Sequence, residues 1–131
     1  MSTGLSDGLQ YVDPPGTKWR YNTNAYCLCV TAIAAVSQMT PNELTKAWLT
    51  GRVGMKDSRW IERRLAKASI PEKNRLGFAT TARDLARFGL LVLGRGQWGN
   101  EVVHSDHKYL SAALSPSQQM NPAYGYLWWL N

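Results

Sequence analysis

Two residues near the end of the chain have the spacing of a nucleophile and its base. Ser105 and Lys108 lie three positions apart, as in an S-x-x-K pattern, where a lysine follows a reactive serine by one helical turn. The pattern is short and arises easily by chance. Ser105 also precedes a polar segment, where a serine is a favoured N-cap. We therefore interpret Ser105 as the cap of a surface helix.

The two histidines of the sequence lie beside this serine. A Ser-His-Asp triad could be assembled on paper from His104 or His107. The G-x-S-x-G pattern that presents the nucleophile of one large hydrolase class is absent from the sequence. We interpret both histidines as solvated loop residues.

Tyr21 is the third candidate for chemistry. It lies between the Pro14-Pro15-Gly16 turn and an apolar segment, so it would project from a loop held by a rigid helix. A phenol can act as a general base where a neighbouring ammonium lowers its pKa from about 10. The residues alone favour a simpler interpretation, a tyrosine packed at a helix start, with Thr23 or Asn24 as the N-cap.

Three helices should position these residues. Asn24 to Met39 is apolar nearly all round, which is typical of a helix inside a larger body. Thr40 opens a second helix through a capping box, and Gly51 should end it. Thr81 opens a third helix through Leu93, again by a capping box. The periodicity predicts that its core face consists of Ala82, Leu85, Phe88 and Val92.

The other segments are shorter. The run from Arg59 to Lys67 mixes basic and apolar residues, as a solvated helix face does. Ser69 to Phe78 should be irregular, with a short extended piece at its end. A short helix from Ser105 must end before Pro116. The six tryptophans are spread over five segments, which favours packing over a ligand site.

The terminal segment Tyr124–Asn131 is predicted to be a β-strand, and its part Tyr124–Leu130 is the candidate for self-association. Its alternation places Tyr124, Tyr126 and Trp128 on one face. A strand this aromatic needs neighbours, since two strands alone are marginal in water. We expect either pairing of this segment with another molecule, including self-association, or a longer protein of which this chain is a part.

Composition limits the remaining possibilities. The 131 residues can form one domain, and 44% hydrophobic with 18% charged residues indicates a globular chain. The basic residues behind the net charge of +6 are scattered, so we do not expect nucleic-acid binding. Cys27 and Cys29 would diverge on a helix, and we expect no disulfide, metal or cofactor. No signal peptide is recognisable, and the apolar run Ala25 to Val36 is too short to span a bilayer.

Five segments, in the correct order, resemble one family of serine hydrolases. Met1–Leu5 reads M-S-T-G-L, Pro15–Thr23 reads P-G-T-K-W-R-Y-N-T, and Val53–Ser58 reads V-G-M-K-D-S. Thr81–Gly89 reads T-A-R-D-L-A-R-F-G, and the end reads Y-G-Y-L-W-W-L-N. They are similar to segments of class C β-lactamases, penicillin-binding proteins, related esterases and 6-aminohexanoate-dimer hydrolases. The resemblance covers nearly the whole chain.

The resemblance implies a fold and a chemistry. The family has an α+β lobe with an antiparallel sheet and a helical lobe, and its active site lies between them. It uses an S-x-x-K serine and lysine, a Y-x-N tyrosine that exchanges protons, and a [KH]-[ST]-G strand. By this resemblance Tyr21 is the catalytic Y-x-N tyrosine. The third position is Thr23 instead of Asn, so Thr23 is a weaker candidate for substrate binding.

The sequence also departs from the family pattern. No S-x-x-K precedes Tyr21, and no [KH]-[ST]-G follows the terminal segment. We therefore expect residues 1–131 to be one partial domain, mainly α with a terminal strand, a fragment of the two-lobed α+β fold. Such a fragment should be inactive alone. Its parent would act on small amides or esters and, by its type, would be periplasmic or secreted. The alternative is a non-catalytic helical binding module that docks through its aromatic end.

Overall fold

The computed structural model describes residues 13–14, 16–63 and 75–130. The predictions for Met1–Leu5, the N-terminal leader and residues 64–74 fall outside them. The helices are α1 (Thr23–Ser37), α2 (Pro41–Thr45), α3 (Gly51–Val53), α4 (Ala82–Leu93) and α5 (His107–Ala113), with a π-helical segment at Lys46–Thr50. The strands are β1 (Arg59–Arg63), β2 (Arg75–Ala79), β3 (Gln97–Trp98) and β4 (Glu101–Val102). In these residues no helix is long and apolar enough to cross a membrane.

Helix α1 forms where the sequence predicts it, but its surroundings differ. Its N-cap is Asn22, whose side-chain oxygen accepts a hydrogen bond from the Ala25 amide at 3.3 Å. The apolar pattern predicts a helix inside a larger body, whereas α1 lies at the surface of the described residues. None of its described side chains is fully buried, and Val36 is 87% exposed.

The second predicted helix begins as expected and continues further. The Thr40 hydroxyl accepts from the Glu43 amide, while the Glu43 carboxylate accepts from the Thr40 amide at 2.8 Å. The capping box is thus confirmed. Gly51 is not the C-cap, because the chain continues through the π-helical segment into α3. The left-handed residue that ends the helix is Gly54, with φ of +72°.

The basic run predicted to be a helix face is instead a strand, as far as it is described. β1 pairs with β2 in an antiparallel hairpin, with Trp60 opposite Phe78. Their rings lie 5.1 Å apart, edge to face. Asn42 in α2 extends this pairing, since its side-chain amide binds both the N–H and the C=O of Trp60. The cross-strand aromatic pair stabilises the extended conformation.

Helix α4 packs with a different face from the predicted one. Leu91 is 5% exposed and forms the core of this region with Val53 and Met55. Phe88 packs against this core as predicted, whereas Leu85 is exposed. The periodicity therefore predicts the helix correctly, and Thr81 is its N-cap as expected. The predicted packing face is wrong.

Asp84 lies fully buried on the inner face of α4. Its carboxylate accepts hydrogen bonds from the Asp57 amide at 2.9 Å and the Ser58 hydroxyl at 2.8 Å, and pairs with Arg87 at 3.0 Å. Because the carboxylate is used in this way, it does not reach back to the Thr81 amide, and only half of the expected capping box forms. Asp84 thus joins the start of α4 to the turn after α3.

A short hairpin and a short helix follow α4. β3 and β4 pair antiparallel, and Arg52 in α3 binds Glu101 at 2.5 Å and the carbonyl oxygen of Val102 at 2.7 Å. The predicted cap of α5 is wrong by one residue. Asp106, not Ser105, accepts the Tyr109 amide at 2.8 Å.

The terminal segment is a tight turn, and the prediction of a continuous strand is wrong. Tyr124 forms an isolated antiparallel bridge with Trp129, five residues further on. Leu127 has φ of +65°, so the chain reverses between them. The class is nevertheless confirmed. The described chain is mainly helical with a few short strands, as expected for part of an α+β fold.

Candidate active site around Tyr21

The structure divides into two compact units, and Tyr21 belongs to the smaller one. Among the described residues, this unit comprises 13–14, 16–21 and 113–130, and the other comprises 22–63 and 75–112. In the smaller unit, Asp13 binds Lys18 at 3.0 Å and Arg20 at 2.9 Å. The Pro14 carbonyl oxygen accepts from the Thr17 hydroxyl at 2.7 Å. These contacts fix the loop that leads to Tyr21.

Alternate residues of this loop have different partners. Lys18 and Arg20 bind the same carboxylate, while Trp19 and Tyr21 both contact the rings of Tyr124 and Trp129. This alternation is what an extended segment imposes on successive side chains. The ion pairs thus help to direct Tyr21 toward the aromatic residues.

The ring of Tyr21 contacts three other described rings, and we call Trp19, Tyr21, Tyr124 and Trp129 the aromatic cluster. The Tyr21 ring stacks on Trp129, with centroids 5.7 Å apart and planes 24° apart. It meets Tyr124 edge to face at 6.2 Å and Trp19 at 6.4 Å. Tyr124 is buried, whereas Tyr21 remains 52% exposed. The phenol is therefore supported by its neighbours and still accessible.

The terminal turn brings two of these rings to Tyr21. The Gly125 amide binds the Trp128 carbonyl oxygen at 2.9 Å, and the Leu130 amide binds that of Ala123 at 2.8 Å. A Cβ at position 125 would clash with the carbonyl oxygen of Ala113, so this close approach requires glycine. The turn places Tyr124 and Trp129 on the same side, which a straight strand would not do.

Of the predicted site residues, Tyr21 lies immediately before the N-cap of α1. Thr23 is the first residue of that helix. The sequence analysis did not single out Tyr124 and Trp129 as neighbours of Tyr21. The sequence feature that could have indicated a turn here is Gly125, because a glycine in a predicted strand can mark a close approach of two backbones.

The alternative nucleophile Ser105 lies at the surface of the part of its unit that the structure describes. Ser105 and Lys108 are both exposed, and Ser105 lies before the Asp106 cap of α5. His107 is exposed, as predicted for a solvated residue. His104 is half-buried instead, with its ring 6.0 Å from that of Tyr109. Among the described residues, no cluster of His, Cys, Asp and Glu could hold a metal ion, and both cysteines are free.

The family model named Beta-lactamase matches residues 6–131. This match covers nearly the whole chain. The chain belongs to the Beta-lactamase family. A search of curated proteins finds no match.

Solved structures agree with this membership at the level of the fold. A protein of Bacteroides dorei DSM 17855, provisionally named a beta-lactamase, superposes with a TM-score of 0.72 at 18% identity, over 90% of this chain and 40% of that one. A penicillin binding protein of Bacillus halodurans superposes with a TM-score of 0.64 at 21% identity, over 89% of this chain and 41% of that one. The chain thus spans about two fifths of the length of these structures.

Proposed function

We propose that this Beta-lactamase family chain is part of a serine hydrolase that acts on small amides or esters through an acyl-serine intermediate. Tyr21 is its proton-exchanging residue. The observation that carries the proposal is the placement of Tyr21. Its exposed phenol, supported by the aromatic cluster, stands in the P-G-T-x-W-x-Y segment and directly precedes a capped helix. A rigidly supported side chain at a loop is the usual form of such a group.

In this mechanism Tyr21 takes part in two proton transfers. As the serine oxygen attacks the carbonyl carbon, its proton passes to the phenolate oxygen. As the bond to the leaving nitrogen or oxygen breaks, the phenol returns that proton to it. A phenol ionises near pH 10 in water, so this role needs a nearby cation. Lys18 and Arg20 bind Asp13, so we assign this task to the lysine of an S-x-x-K motif.

In this proposal residues 1–131 form one partial domain, and the nucleophile lies in residues outside it. Two observations support this. No S-x-x-K precedes Tyr21 in the sequence, although the family order requires one. The apolar helix α1 keeps side chains such as Ile33 and Val36 exposed, which further chain would cover. Thr23 is retained as a weaker candidate for contact with the substrate.

The coding DNA on both sides of this frame gives the first test. We expect an S-x-x-K upstream and an H-T-G-like strand downstream, both in phase. Flanking sequence that encodes neither would contradict the partial-domain proposal.

The enzyme encoded by the longer frame gives the second test. Tyr21→Phe should lower kcat/KM for an ester such as p-nitrophenyl acetate by about 10²- to 10⁴-fold, the usual contribution of general acid–base catalysis. Tyr109→Phe is the matched control, because the two tyrosines are equally exposed, at 52% and 53%. Full activity of the Tyr21 variant would contradict the role of Tyr21.

The second candidate, a binding module that docks through its aromatic end, has less support. Strand addition needs free backbone groups at an edge. The amides of Tyr124, Gly125, Tyr126 and Leu130 all donate within the smaller unit. Exposed side chains of Tyr126, Leu127 and Trp129 remain, and concentration-dependent dimerisation in sedimentation would favour this candidate.

A further inference from the structure

The closest ring-to-ring support of Tyr21 comes from Trp129. Among the described ring contacts of Tyr21, the one with Trp129 is the most nearly parallel, with 24° between the planes. Tyr124 lies at 87° and Trp19 at 48°. A stacked ring restricts tilting of the phenol toward it, while edge contacts restrict movement sideways. The three rings thus restrict movement of the phenol ring, and Trp129 lies beside one of its faces.

Trp129 is itself held by the backbone. The bridge to Tyr124 fixes its Cα, and the rings of Tyr124 and Trp129 are 5.0 Å apart at 77°. Trp19 contacts Trp129 on another side, at 5.8 Å. The terminal turn that carries Trp129 is itself attached to the end of α5, since the Tyr126 amide donates to the Ala113 carbonyl oxygen at 3.0 Å. Because the Trp129 ring is restrained in this way, it can restrain the ring of Tyr21 that lies against it.

We propose that Trp129 is a positioning residue for Tyr21. The indole holds the phenol ring in one plane, so that the hydroxyl points in one direction for proton transfer. This inference rests on the proposed function, because only that function gives the direction of the hydroxyl a purpose. Proton transfer depends strongly on geometry, and a displacement of about 1 Å can reduce a rate by about 10²-fold.

The first test measures the positioning in this chain and needs no catalysis. Nitration of tyrosines by tetranitromethane is followed residue by residue with peptide mass spectrometry. Trp129→Ala should raise the nitration rate of Tyr21 by roughly two- to tenfold, the range that loss of one aromatic pair allows. Trp129→Phe should stay near the parent rate, because a phenyl ring can still stack.

Two controls separate positioning from loss of structure. Trp48→Ala removes a tryptophan of matched exposure, 56% against 58% for Trp129, and should leave Tyr21 unchanged. Tyr109 in the other unit should react equally in all variants, whereas general unfolding would raise its rate too. An unchanged rate at Tyr21 in Trp129→Ala, or equal rises in Trp129→Ala and Trp129→Phe, would overturn the proposal.

The second test uses the longer enzyme and separates the two proposals. Trp129→Ala should lower kcat by about 10-fold or more with KM nearly unchanged, and Trp129→Phe should restore most of it. If Tyr21→Phe is fully active, the proposed function fails, and the nitration result still reports the stacking. If Tyr21→Phe is inactive but Trp129→Ala is not impaired, the positioning role alone fails.

Discussion

At the residue scale, Asp84 shows how a charged side chain can occupy a core position. Burial opposes ionisation of the Asp84 carboxyl, but hydrogen bonds from the Ser58 hydroxyl and the Asp57 amide, with the Arg87 guanidinium, outweigh it. The pKa of Asp84 therefore lies below its ordinary value. A similar effect acts on Glu43, whose pKa is lowered by hydrogen bonds from the Thr40 amide and hydroxyl.

The lowered pKa of Asp84 predicts a pH dependence of stability. A carboxyl whose pKa is lower when folded stabilises the fold above its unfolded pKa, about 3.9, and loses this contribution as pH falls further. The free energy of unfolding should thus decrease below about pH 4 in urea titrations. Asp84→Asn should make this decrease shallower, although Glu43 retains its own share.

The control for this prediction is Asp57→Asn, which removes an exposed carboxyl from the same turn and keeps the backbone amide that binds Asp84. It should retain the pH profile of the parent chain. Identical profiles for the parent and Asp84→Asn would show that the buried carboxylate does not contribute.

At the element scale, α4 carries apolar residues on more than one face. Its packed face contains Asp84, Phe88 and Leu91, while Leu85 and Leu93 are exposed. Positions 84, 88 and 91 have the helical spacing of a buried stripe. The hydrophobic periodicity alone selected the wrong stripe, because it does not predict that an aspartate will be buried with its own set of donors.

Substitutions on the two faces of α4 should differ in their effect on the free energy of unfolding. Leu91→Ala should lower the free energy of unfolding by about 2–5 kcal/mol, since it leaves a cavity beside Val53 and Met55. Leu93→Ala, at a side chain that is 81% exposed, should change it by no more than about 0.5 kcal/mol. Chemical denaturation of both variants gives the comparison, and equal losses would contradict the assignment of the packed face.

Local signals in the sequence predicted the starts of the helices better than their ends and neighbours. The Thr40 capping box and the Thr81 cap depend on residues three apart, so the sequence contains all the information needed. The terminal segment shows the opposite case. Its alternation is that of a strand, but Leu127 adopts a left-handed conformation and Gly125 packs against Ala113. Such contacts depend on residues distant in the sequence.

At the scale of the whole molecule, the family match and the structural neighbours differ in extent. The match covers residues 6–131, but the chain spans only about two fifths of the solved structures it resembles. Tyr21 could be singled out from the sequence only through the resemblance, since the residues alone favoured a packed tyrosine. Its aromatic support could not be predicted, because the turn that supplies Trp129 was not recognised.

The central claim is that this chain contributes the tyrosine of a serine hydrolase and not its nucleophile. The most direct measurement is intact-mass analysis of the purified chain after incubation with a fluorophosphonate and, separately, with a fluorescent penicillin. Our account predicts no covalent adduct, because acyl transfer without the nucleophile loses most of its rate enhancement. A stoichiometric adduct at a mapped serine, such as Ser105, would contradict it.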